Sequence, residues 1–159
     1  MATAVASDTP IGFDDRNIHW FELGEFEHFK AAIFDFDEDR RVFDLAVKFE
    51  PNKQIFLHRH TTLTNTFVLQ GEHCLYEPNG ALKEVRPCGT YTSSLPGEPH
   101  REGGGDDGAV VFYSIRAGAN DDVLFEVMDD ALNVTATLGV SDFLEAFAEQ
   151  QKALAEGRG

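Results

Sequence analysis

Positive charge is scarce in this 159-residue chain. Against 28 Asp and Glu stand 13 Lys and Arg, for a net charge of -15, and no basic cluster exceeds the pair Arg40-Arg41. A nucleic-acid reader needs a basic face to displace counterions, and anionic lipid surfaces repel such a field, so neither partner class is expected. Long apolar runs are missing too: none approaches the roughly 20 residues that span a bilayer. The stretch Met1 to Pro10 is small and polar, without the basic start and apolar middle of a secretory signal, so the expected location is cytoplasmic. Cysteine is limited to Cys74 and Cys88, which make neither a disulfide framework nor a zinc knuckle. They read as reduced thiols, with a cross-strand contact as the alternative. No phosphate-cradling glycine motif, GxSxG elbow or cysteine with a base is found. Gly103-Gly104-Gly105-Asp106-Asp107-Gly108 reads as a mobile surface loop whose aspartates would repel phosphate.

What is present fits one globular domain, with 42% apolar and 26% charged residues. Short runs rich in β-branched and aromatic residues follow one another: Ala32 to Phe36, Val42 to Phe49, Gln54 to Leu57, Thr66 to Leu69, Val110 to Ile115, Val123 to Val127 and Val134 to Leu138. Several alternate apolar and polar, as half-buried strands do. Asn79-Gly80 between two such runs marks a hairpin, because both residues accept positive φ. Many strands with few intervening helices predict an all-β sandwich or small barrel. Only the end reads as helix, with Ser141 as N-cap and Val140, Phe143, Leu144, Phe147, Gln151 and Leu154 on one face. The expected layout is a flexible arm over 1–17, a barrel over 18–140 and a helix over 141–159 packed on it. The aromatics of Ile18-His19-Trp20-Phe21 suit an anchor for the arm on the core or on a neighbouring subunit, which predicts a homodimer or homotetramer.

Of six histidines, one grouping has ligand spacing: His58-Arg59-His60. Residues i and i+2 of a strand share a face, so both imidazoles can meet one ion while Arg59 points away. Ile55-Phe56-Leu57 before it and Phe67 to Gly71 after it place it on a core strand. His100 follows Leu95-Pro96-Gly97-Glu98-Pro99, a turn able to present a third imidazole to the same centre. Together His58-Arg59-His60, Gly71, Gly89 and Pro96-Gly97-Glu98-Pro99-His100 resemble the two sequence motifs of the cupin superfamily. In that family the first motif runs glycine, HxH, an acid, glycine, and the second runs glycine, PxG, histidine. Asn52 stands at the opening glycine, a sensible exchange because Asn tolerates a left-handed backbone. Leu95 replaces the usual proline and Gly104 a terminal asparagine. The motifs cover the middle third of the chain. The departure that matters is the acid: its position holds Thr64 or Asn65, and neither replaces a carboxylate.

The resemblance implies a single-domain cupin, a double-stranded β-helix or jelly-roll barrel, with a metal centre of three neutral imidazoles from His58, His60 and His100. Such centres resemble those of the acetylacetone-cleaving (β-diketone) dioxygenase, 2,4'-dihydroxyacetophenone dioxygenase and thiol dioxygenases, and Leu138-Gly139-Val140-Ser141 leading into a helix is most similar to the first. The implied function is a non-haem Fe(II)-dependent dioxygenase that uses O2 to cleave a C–C bond in a small diketone or hydroxyketone chelating the metal. Fe2+ is the expected ion, with Zn2+ or Ni2+ acceptable to imidazole. The alternatives are a metal-binding cupin that binds or senses a small ligand without turnover, and a metal-dependent lyase or isomerase. Glu98 can orient a ligand imidazole or a water from behind, or be a solvated turn carboxylate. Arg59 is expected to face outward and Arg101 to neutralise an acidic neighbour. Phe36, Phe49, Phe56, Phe67 and Phe112 are available to line a pocket. His19, His28 and His73 read as surface or satisfied histidines, with His73 the exception to watch.

Overall fold

Alternation decides the long strands. In β2 (Val42–Phe49) the side chains of Phe43, Leu45, Val47 and Phe49 turn inward and are buried. Its neighbours β1 (Phe29–Asp37) and β7 (Arg101–Arg116) contribute Ala31 and Ile33 on one side and Ala109, Val111, Tyr113 and Ile115 on the other. Pairing is antiparallel and in register, with Leu45 between Ile33 and Tyr113, so each inward row is continuous across three strands. A fully buried Phe such as Phe43 contributes roughly 1.5–3 kcal/mol over leaving it in water.

The coordinates are a computed structural model in which residues 1–6 and 9–157 are described. Ser7 and Asp8 of the expected arm and Arg158 and Gly159 of the expected terminal helix lie outside the described residues. The large sheet continues from β7 to β4 (Leu63–Tyr76) and β5 (Leu82–Pro87), with β6 (Tyr91–Ser94) also on β4. A second sheet holds β3 (His58–His60), β8 (Val123–Met128) and β9 (Val134–Gly139) in that order. The two meet where β3 approaches the start of β7: His58 and His100 exchange both backbone hydrogen bonds, at 3.0 and 2.9 Å. This is an all-β jelly-roll barrel with one C-terminal helix, α1 (Val140–Ala155). The helix lies against β1 and β9, and its Phe143 reaches past them to Phe43 of β2 and Phe125 of β8. No helix among the described residues is long and apolar enough to cross a membrane.

Several local expectations are corrected. Gly103 to Gly108 is the first half of β7, and Gly103, Gly104 and Gly108 are buried. The glycines are there because the chains touch. A Cβ on Gly103 would lie 2.0 Å from the Lys53 carbonyl oxygen, and one on Gly71 would lie 2.1 Å from that of Gly108. At that crossing the β4–β7 register shifts twice, between Val68 and Gln70 and between Gly71 and His73, which bends both strands into the barrel. Gln54 to Leu57 is not a strand but a connector with one bridge, Gln54 to Gly103. The hairpin at Pro78-Asn79-Gly80 forms, with positive φ at Gly80 alone. Asn52 does take the left-handed backbone, at φ 54. The helix N-cap is Gly139 rather than Ser141, and the Asp142 carboxylate accepts the Gly139 N–H at 2.7 Å. On the buried face Gln150 replaces the expected Gln151, its side-chain oxygen accepting the Ile33 N–H at 2.9 Å.

Candidate metal centre

The centre is built by two strand segments facing each other. Directly opposed residues of an antiparallel pair, and residues two apart on either strand, share a face. With His58 opposite His100, that face carries His58 and His60 from His58-Arg59-His60, and His100 and Glu102 from His100-Arg101-Glu102. One ligand-type atom from each of these four lies within 4.8 Å of all the others. The arginines point away: Arg59 pairs with Glu126 on β8, and Arg101 with Asp130 at 2.7 Å.

All three imidazoles are fixed from behind. His58 Nδ1 donates to the Phe56 carbonyl at 3.0 Å and His100 Nδ1 to the Glu98 carbonyl at 2.9 Å. Thr64 donates its hydroxyl proton to the Thr62 carbonyl, at 3.3 Å, so its oxygen is left to accept from His60 Nδ1, at 3.4 Å. Carbonyl oxygens only accept, so Nδ1 carries the proton and each neutral ring turns its Nε2 lone pair inward. Those lone pairs converge. His58 Nε2 is 3.1 Å from His60 Nε2, and Glu102 Oε2 stands 2.9, 3.6 and 3.8 Å from Nε2 of His58, His60 and His100. Acceptors packed so closely require positive charge between them. Two donors about 2.1 Å from one ion and at right angles are about 3.0 Å apart, so these separations suit adjacent ligands of a divalent ion.

Burial opposes ionisation of Glu102. When protons rather than an ion fill the centre, side-chain hydrogen bonds with His100, His58, His60 and His73, the first three then carrying a proton on Nε2 as well, outweigh it and hold the carboxyl well below its usual range. Burial pushes His60 down to about 4, which its contact with Glu102 only partly offsets. His100 is raised: burial pulls it down, but the hydrogen bond and charge of Glu102 prevail.

The structure brings the three expected imidazoles together and places one carboxylate, Glu102, among them. Glu102, two residues beyond the third histidine, puts an acid in this cluster that the first motif lacks. Its signal was the spacing in His100-Arg101-Glu102, the same period of two that singled out His58 and His60, hidden because the glycines after it read as a loop. Thr64, at the acid's usual position, supports His60 from behind. Glu98 acts through its carbonyl, while its side chain is exposed at the rim. His73 is fully buried and its Nε2 reaches Glu102 Oε1 at 2.8 Å. Tyr113 donates its hydroxyl proton to the same oxygen at 2.9 Å, and burial followed by the charge of Glu102 raises its phenol well above the ordinary value. Neither residue was assigned a role in the sequence. His19 is exposed, and His28 sits 3.0 Å from Glu50. Both cysteines are free, Cys74 buried and Cys88 exposed.

Two hollows flank the centre. A cleft of about 220 Å³ has His60, His100 and Glu102 at its floor and Thr66, Arg86 and Ser94 among its walls. On the other side an apolar chamber of about 70 Å³ inside the barrel touches His58 and Glu102 and is lined by Phe49, Phe56, Phe125 and Phe143 among others. Of the five phenylalanines offered for a pocket, Phe49 and Phe56 are there. Phe67 is 39% exposed on the outer face, paired with Phe112. A larger hollow, about 580 Å³, lies elsewhere, lined by Phe13 and Asp15 of the arm and by Trp20 among others. It touches none of the four ligand-type residues, whereas the smaller cleft opens onto three of them.

No family model and no curated protein matches the sequence. Solved structures do. An RmlC-like cupin from Ralstonia eutropha superposes with a TM-score of 0.70 at 15% identity, over 88% of this chain and 85% of that one. An acetylacetone dioxygenase from Acinetobacter johnsonii gives 0.67 at 10% identity, over 94% and 97%. A candidate acetylacetone dioxygenase from Methylibium petroleiphilum gives 0.67 at 10%, over 93% and 99%. The chain therefore has the cupin fold, and its structure is similar to those of acetylacetone dioxygenases among others.

Proposed function

We propose that the protein is a non-haem Fe(II)-dependent dioxygenase that cleaves a C–C bond of a small diketone or hydroxyketone at the His58, His60, His100 and Glu102 centre. The observation that carries this reading is the convergence of three Nε2 lone pairs and one carboxylate oxygen at the floor of an open polar cleft. Four protein donors leave a six-coordinate ion two positions for other ligands. Bound there, Fe(II) supplies a Lewis acid for two substrate oxygens and an electron partner for O2.

The chain's own groups set the rest. Glu102 lowers the net charge of the centre from +2 to +1, which still favours an anionic enolate over the neutral diketone. Arg86 stands in the same cleft, donating two hydrogen bonds of 3.0 Å to Glu84, and so presents a fixed guanidinium donor beside the place where an enolate would lie. Leu75 and Leu95 offer apolar contact to alkyl ends. The apolar chamber behind His58 keeps bulk water from that side. In the overall reaction both atoms of O2 end in the two carbonyl fragments, with no external reductant.

Protein loaded with Fe(II) under anaerobic conditions is predicted to consume O2 when given an enolisable diketone, and His60→Ala to abolish that uptake. Tightly bound Zn with no O2 uptake across a diketone panel contradicts the reading. The carboxylate ligand gives one specific reason to keep a second: a +1 centre also suits a metal-dependent lyase or isomerase, for which turnover without oxygen is the deciding result. A ligand-induced melting shift without product would mark a binding or sensing protein.

A further inference from the structure

We infer that Tyr113 and His73 are positioning residues that restrict Glu102 to a single inward oxygen and thereby leave two coordination positions to other ligands. The inference rests on the reading of the centre as a metal site. The two oxygens of Glu102 keep different company. Oε2 faces the three Nε2 atoms, the nearest at 2.9 Å. Oε1 faces away and accepts twice, from Tyr113 Oη at 2.9 Å and His73 Nε2 at 2.8 Å.

Both donors are locked in place. Tyr113 is buried on β7, with its backbone between those of Leu45 and Thr66. His73 is wholly buried on β4 and stacks on Phe49, ring centroids 5.4 Å apart and planes 18° apart. Its Nδ1 has no partner among the described residues. A ring with one proton, on Nε2, leaves only a lone pair at that dry site, whereas a doubly protonated ring would bury an unpaired donor. His73 is thus a fixed donor toward Glu102.

Rotating the carboxylate to bring both oxygens onto an ion would break both bonds and strand two buried donors. Held as it is, Glu102 counts as one ligand. With three imidazoles the protein would then fill four positions of six, leaving two for a substrate that binds through two oxygens. A bidentate Glu102 would leave one position and exclude a chelate.

The test uses the metal-free full chain with Co(II) as probe, reading the dissociation constant by chelator competition and the ligand-field absorption spectrum. Tyr113→Phe and His73→Leu are each expected to weaken Co(II) about tenfold and to change the spectrum as the second carboxylate oxygen joins. His73→Gln keeps an N–H near the place of Nε2 and is expected to restore both. Far-UV circular dichroism and thermal unfolding identify folded variants. A folded Tyr113→Phe with unchanged affinity and spectrum overturns the inference, whatever its melting temperature, and leaves the dioxygenase reading to the oxygen electrode. A wild-type chain that takes up no Co(II) overturns it as well. An altered Co(II) spectrum in a protein without O2 uptake supports the positioning role and counts against the dioxygenase.

Discussion

If the four converging groups hold an ion as proposed, Glu102 is the buried anion among them, so its removal should be felt first in metal affinity. Glu102→Gln keeps the shape and most hydrogen-bonding capacity but loses the charge. It is predicted to weaken divalent metal binding by at least tenfold, or about 1.4 kcal/mol, measured by competition with a chelator. Thr64→Val, which removes the acceptor for His60 Nδ1, is predicted to weaken binding by a smaller factor because that bond is long, at 3.4 Å, and Thr64→Ser to restore it. At this scale much of the site was legible. His58, His60 and His100 were singled out by a period of two and a rigid turn, and the structure brings them together. Glu102 was missed because a carboxylate in an acidic chain carries no signal alone. Its meaning comes from the cross-strand pairing of His58 with His100, a contact across 42 residues of chain that spacing does not reveal.

The elements show the same division. Alternation exposed β1, β2, β7, β8 and β9 in outline, and Asn79-Gly80 marked the β4–β5 hairpin. The glycine run could not be read the same way, because its glycines are selected by what approaches them. Gly71→Ala places a Cβ 2.1 Å from the Gly108 oxygen at φ +69, whereas Gly89→Ala has φ +88 but nothing within 4 Å. The first is predicted to cost more than about 3 kcal/mol in urea denaturation and the second about 1–2 kcal/mol, the backbone preference alone. Equal costs would show that the β4–β7 crossing relaxes.

The arm offers a second test at this level. Asp15 accepts from Trp20 Nε1 at 3.1 Å and pairs with Lys48 on β2, while Phe21 bridges to Ala31 on β1. The hydrogen bond from Lys48 holds the Asp15 carboxyl below its ordinary 3.8. A carboxyl lowered by folding contributes fully above that value, and the contribution is lost as pH falls through the lower folded value. Fluorescence of Trp20, the one tryptophan in the chain, is predicted to shift red over that acid range. Asp15→Asn is predicted to show the shift at pH 7. An unchanged spectrum in Asp15→Asn would mean that the aromatics dock the arm without the ion pair.

For the whole molecule, the net charge of -15 divides into two populations. The many exposed carboxylates, such as Asp14 and Glu84, pair with arginines at the surface or face water. One carboxylate, Glu102, is 4% exposed and lies where four imidazoles converge. The jelly roll explains how: strong bends in β4 and β7 close the barrel, and closure brings the start of β7 beside β3. The same closure leaves the polar cleft on one side of the cluster and the apolar chamber on the other. Metal analysis of the full chain tests the central claim most directly, after loading with Fe(II) without oxygen and removal of excess metal. The account predicts one divalent ion per chain in the wild type and a loss of nearly all of it in His60→Ala and Glu102→Ala variants that remain folded. Wild type without stoichiometric metal, or variants that retain it, would contradict the account.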